Sequence, residues 1–160
     1  MEHWNDFFVA EVGASAALAG LIFVAVSINL THVLSIPSVA NRALESLLML
    51  FAVLVVSLLL LVPGQGTRLL GGELLGFGIF TWAAMTLVDV HSLRHTRREF
   101  MKHVYLSVVI DQVTMLFYLA GAIAVLSQGE RGIYWLVPAT LCSFIKGFLD
   151  AWVILVEINR

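Results

Sequence analysis

Residues 7–30 carry a single charge, Glu11, in a run otherwise dominated by Ala, Val, Leu, Phe and Gly. Coiled as a helix, such a run crosses the ~30 Å hydrocarbon core of a bilayer. Lipid offers no water to bond exposed backbone groups, so a helix is the form in which an isolated apolar segment can cross. At ~100° per residue, Gly13, Ala16, Ala17, Gly20, Val24 and Ser27 fall on one nearly smooth face. Small residues at this spacing let helix backbones approach closely where lipid removes the hydrophobic drive for contact. The sequence therefore predicts this face, with Gly13, Ala17 and Gly20 at its centre, to be a packing face. Roughly opposite lie Glu11, Ser15, Leu18, Ile22, Val26 and Asn29, polar at both ends and apolar between. That second face suits either a pathway lining or contacts with partner helices.

The same character extends along the chain. Of 160 residues 60% are hydrophobic and 12% charged, and the mean hydropathy is +0.95. Soluble domains carry about twice that charged fraction, and one aqueous core cannot hide this much apolar surface. The expected fold is an all-α, polytopic membrane bundle of about five transmembrane helices, near 7–30, 43–62, 69–90, 104–126 and 133–159. Residues 1–160 then form one integral membrane domain, with none left for a soluble one. The acidic opening MEHWND lacks the positive region of a secretory signal, so the first helix is expected to be retained. Trp4, Phe7 and Phe8 read as interfacial anchors, with Asn5 or Asp6 as helix cap. Pro37-Ser38 is a helix-start signal inside the linker 31–42, and Pro63-Gly64-Gln65-Gly66 is a tight turn.

Five crossings place the termini on opposite sides. Arg94, Arg97, Arg98 and Lys102 crowd one short loop, and short Lys/Arg-rich loops stay cytoplasmic. Arg42 and Arg160 then also fall inside, giving six basic residues against two outside, Arg68 and Arg131. The N-terminus is expected outside and the C-terminus in the cytoplasm. The four loop cations read as a headgroup-binding surface meeting anionic lipid.

Charges inside spans cost about 2.5–3.5 kcal/mol each on insertion scales, and they turn toward protein or water. Lys146 lies ~13 residues, or ~20 Å, from the outer end of the fifth predicted helix, near mid-membrane. Asp150 follows one turn later and can pair with it, and Ala139, Cys142, Ser143 and Glu157 share the face. In the fourth helix Ser107, Asp111, Thr114 and Tyr118 form one stripe, with Asp111 at the depth of Asp150. The sequence thus predicts an Asp111–Lys146–Asp150 cluster, either a neutralised pair fixing helix register or an ion site. Glu11 and Asn29, five turns apart, mark the ends of the first helix, as plain interfacial polarity or as rings in an oligomer. In the third helix Gly72 and Gly76 again permit close packing, while Glu73 and Asp89 mark its ends; Glu45 stands at the mouth of the second.

Cofactor and enzyme signatures are missing. Cys142 is the single cysteine, which excludes an intrachain disulfide and a Cys-based metal site. His91 and His95 stand at metal-ligand spacing with no third ligand beyond Asp89. There is no phosphate loop, metalloprotease motif, nucleophile elbow or basic face for nucleic acid.

The pattern W-x-x-F followed by G-A-x-A-A-L-x-G-L-x-F-V-A-x-S-x-N, at Trp4, Phe7 and Gly13 to Asn29, resembles the opening helix of a family of small bacterial inner-membrane proteins of unassigned function. A fainter likeness links Ser15-Ala-Ala-Leu-Ala-Gly20 and Val24-Ala25 to the pore helix of store-operated calcium channels, whose acidic filter position would fall near Ile28. The first resemblance implies a bacterial membrane location; the second implies that such a helix can line a pore. Two functions are expected on these grounds. One is a homo-oligomeric channel or small transporter for ions, in contact with lipid and further copies of itself. The other is a non-conducting subunit regulating a larger membrane complex, such as a protease or transporter.

Overall fold

The computed structural model describes residues 4–95 and 101–158, with all side chains in them except those at positions 32, 37, 38, 95, 103, 155, 157 and 158. The described residues are helical apart from short connections, and none is in a strand. In order come α1 (Asn5–Ile28), a short α2 (Leu30–Ser35), α3 (Pro37–Leu61), α4 (Thr67–His95), α5 (Met101–Gln128), a 3-10 segment (Gly129–Trp135) and α6 (Leu136–Ile158). Four helical stretches are long and apolar enough to cross a membrane: Asn5–Ile28, Val39–Leu61, Thr67–Arg94 and Val104–Ile154. The last, 51 residues long, is a hairpin of α5 and α6 folded back at the 3-10 segment. The protein is a membrane bundle of five long helices.

Helix ends follow local chemistry. Pro37 occupies the first turn of α3, where its missing N–H costs nothing and its fixed φ already suits a helix. The helix therefore starts at 37, ahead of the expected 43, and the expected linker is largely helical. Gly129, at φ 62°, ends α5 in the left-handed conformation that a side chain disfavours. Trp4 is the N-cap of α1 and no side chain bonds its first turn, so neither Asn5 nor Asp6 caps it.

Successive long helices run antiparallel. Ser57 of α3 meets Glu11 of α1, Phe51 of α3 lies against Phe77 of α4, and Trp82 and Asp89 of α4 both reach Gln112 of α5. Across the α5–α6 hairpin Tyr118 pairs with Ser143 and Asp111 with Lys146. The Trp4 ring sits edge-on to Tyr134 at 4.8 Å, so the chain start, the Pro63–Gly66 turn and the 3-10 segment share one end. At the other, α2 and the start of α3 close over the end of α6 in a small cluster of Val33, Val39, Ala43 and Ile154.

The main core joins α1, α3, α4, α5 and α6 through Phe8, Met49, Leu70, Met85, Met115, Tyr118 and Leu136, all nearly sealed. Since lipid is as apolar as these side chains, close packing rather than water exclusion holds them together. The glycines in tightest contact are Gly71, Gly121 and Gly132: a Cβ on Gly71 would stand 2.6 Å from Leu126 Cγ, and one on Gly132 would strike the backbone of Ala124 and Val125. The expected packing glycines lie elsewhere. Gly13, Gly20, Gly72 and Gly76 have nothing within 4 Å of such a Cβ, and with Ala17 they face outward. In α1 it is the other face, with Phe8, Glu11, Ser15 and Ile22, that is buried. The reason is physical: small residues permit close approach, whereas the carboxyl of Glu11 must leave lipid and so decides which face turns inward.

Candidate functional site

Four helices each deliver charge to one buried point. Lys146 lies ten residues along α6, about 15 Å from its start. Its ammonium lies 2.7 Å from Asp150 Oδ2, 3.0 Å from Asp111 Oδ1 and 3.5 Å from Glu45 Oε2. An ammonium has three donors, and all three meet carboxylates. Asp111 is 0% exposed and Lys146 5%. Asp150 turns its other oxygen toward Arg42 Nη1 at 3.7 Å, and Arg42 is partly open to the surface. Asp111, Lys146 and Asp150 thus come together as the sequence predicts.

Two further acids complete the group. Glu45 Oε1 accepts a hydrogen bond from Ser92 Oγ (3.1 Å), which accepts one from Asn41 Nδ2 (3.0 Å). Asp89 Oδ2 accepts one from Gln112 Nε2 at 2.7 Å. The amide of Gln112 is oriented by Trp82, whose indole N–H donates to its Oε1 at 2.7 Å. Oxygens of Glu45, Asp89 and Asp111 all lie within 4.8 Å of one another. Among the described residues, four acidic side chains (Glu45, Asp89, Asp111, Asp150) face two basic ones (Lys146, Arg42), two more acids than bases. Three oxygens in the group, Asp89 Oδ1 and both of Asp111, are buried without a hydrogen bond, and of these Asp111 Oδ1 has its ion pair with Lys146.

Sequence reading places Glu45 and Asp89 at helix ends, and the structure moves both inside. α3 begins two turns before Glu45, and α4 continues past Asp89 to His95. The available signal was Pro37 at a helix start, together with a serine at 92 one turn beyond Asp89.

Polar side chains continue from this group toward the other end. Thr140, Ser143, Lys146 and Asp150 line one face of α6, and Asp111, Thr114 and Tyr118 one face of α5, all buried. Tyr118 Oη lies 3.1 Å from Ser143 Oγ, and Ser143 donates to the Ala139 carbonyl at 2.9 Å. Beyond them Ser57 donates to Glu11 Oε2 at 2.7 Å. Glu11 is therefore held within the chain, against Ser57 of α3. Asn29 stays at the C-terminal end of α1, its amide on the Ala25 carbonyl at 3.2 Å. Arg94 and Lys102 are exposed at the α4 and α5 ends; Arg97 and Arg98 lie outside the described residues. His91 is exposed on α4, and the His95 side chain is not among those described.

Comparison with protein-family models, curated proteins and solved structures returns no match.

Proposed function

We propose that this protein is a small ion transporter of the bacterial inner membrane, acting as a homo-oligomer. The observation that carries the reading is the lysine with four carboxylates sealed midway through the bundle. A neutralised structural pair needs one acid per base, whereas this group holds four acids to two bases. Buried charge in a membrane span is costly and turns toward substrate or ion pathways. The stripe from Asp150 to Glu11 supplies hydroxyls along the bundle axis. The group lies inside one chain with Lys146 and Asp111 nearly sealed, which favours alternating access over a standing pore.

The test is flux. Proteoliposomes holding the wild type should move cations or protons down an imposed gradient. Lys146→Met with Asp150→Leu should abolish that flux while the protein stays folded.

A second reading has its own support. The outward faces at Gly13, Ala17 and Gly20 and at Gly72 and Gly76 suit any close-packed helix, so a larger membrane complex can dock there with this chain as a non-conducting subunit. A closed ring in detergent favours transport; a monomer that copurifies with one large partner favours regulation.

A further inference from the structure

We infer that Glu45, Asp89 and Asp111 form a binding site for one hard divalent cation per chain, with Lys146 as its internal opponent. The inference rests on the transport reading only for its role in flux; the site itself stands on geometry. Oxygens of the three carboxylates lie within 4.8 Å of one another. A Ca²⁺ or Mg²⁺ with bonds of about 2.0–2.6 Å sets opposite ligand oxygens roughly 4–5 Å apart, so this spacing spans one ion.

Each of two carboxylates has one oxygen already used and one waiting. Asp111 gives Oδ1 to Lys146, and its Oδ2 is buried and unpartnered. Asp89 gives Oδ2 to Gln112, and its Oδ1 is buried and unpartnered. Leaving such an oxygen dry and unbonded costs free energy that a ligand relieves. With two more acids than bases, the group has the carboxyls to balance one divalent ion once they are ionised. All donors are oxygens, with no imidazole or thiolate among them, which selects hard cations over zinc or copper. The amide of Gln112, fixed by Trp82, orients Asp89 as outer partners do around metal ligands. Lys146 lies 3.0 Å from Asp111 and 3.5 Å from Glu45, so its charge opposes the ion and shares its ligands.

The experiment uses the full-length protein in detergent with Mn²⁺ as probe, bound ion being read from loss of the free-ion electron paramagnetic resonance signal. One Mn²⁺ per chain should bind, displaceable by Mg²⁺ or Ca²⁺. Asp89→Asn and Asp111→Asn should each weaken binding at least about tenfold. Lys146→Met should tighten it, an effect that a purely structural lysine would not have. Absence of saturable Mn²⁺ binding by the wild type and by Lys146→Met would overturn the site and leave protons as its occupants. Binding unchanged by both aspartate variants would overturn it equally. Flux without Mn²⁺ binding sinks this inference and spares the transport reading; Mn²⁺ binding without any flux does the reverse.

Discussion

Lys146 is the residue on which stability and function most directly part company. Its ammonium serves Asp111, Asp150 and Glu45 at once. Removing one partner of a buried ion pair typically costs about 3–5 kcal/mol, because the survivor is stranded. Lys146→Met alone should therefore lower thermal stability sharply in metal-free detergent, and Asp150→Leu should do so less, since Asp111 and Glu45 remain as partners of Lys146. The double variant should be milder than Lys146→Met, because one positive and one negative charge leave together. A thermal melt of the three variants checks the order; a double variant worse than the sum of the singles would contradict it. At this scale the sequence was legible where spacing alone decides: Lys146 and Asp150 stand four apart on a helix, and Asp111 matches their depth. Glu45 and Asp89 were misplaced because distance from a helix end was counted from hydropathy, which falls off before the helix does.

At the scale of the helix, two classes of glycine separate. Gly20 faces outward with nothing near its missing Cβ, so Gly20→Leu should leave the single chain's melting temperature unchanged. If α1 is the contact between copies, the same variant should dissociate the oligomer on size-exclusion chromatography. Gly132 is the opposite case. A Cβ there meets Ala124 and Val125 backbone, which cannot rotate away as a side chain can, so Gly132→Ala should destabilise by about 1–3 kcal/mol, readable as a lower melting temperature. A one-letter pattern records that glycine allows close approach. It does not record whether the neighbour belongs to the same chain, and within the chain the smooth face of α1 and the Gly72–Gly76 face are bare. The helices themselves were plain in the sequence, because crossing lipid demands a long apolar run; their ends were set by Pro37 and Gly129, which hydropathy does not weigh.

For the whole molecule, the alternating direction of the five long helices puts Arg42, Arg94 and Lys102 at the end opposite Arg68 and Arg131. If the positive-inside rule sets the orientation, single cysteines at Glu2 and Arg131 in a Cys142→Ser background should react with an impermeant thiol reagent added outside, and one at Arg97 should not. Labelling at 97 would reverse the orientation. The buried charge group also has a direction in time. Glu45, Asp89 and Asp111 are synthesised before the helix that carries Lys146, so a growing chain holds three intramembrane acids that lack their central counter-charge until α6 arrives. Until then α3, α4 and α5 have reason to stay beside water or the insertion machinery, and α6 works as the latch that commits them to lipid. A chain ended after Gln128 should be degraded in cells, and co-expression of the stretch from Gly129 onward as a separate segment should restore it, whereas the same segment carrying Lys146→Met should not.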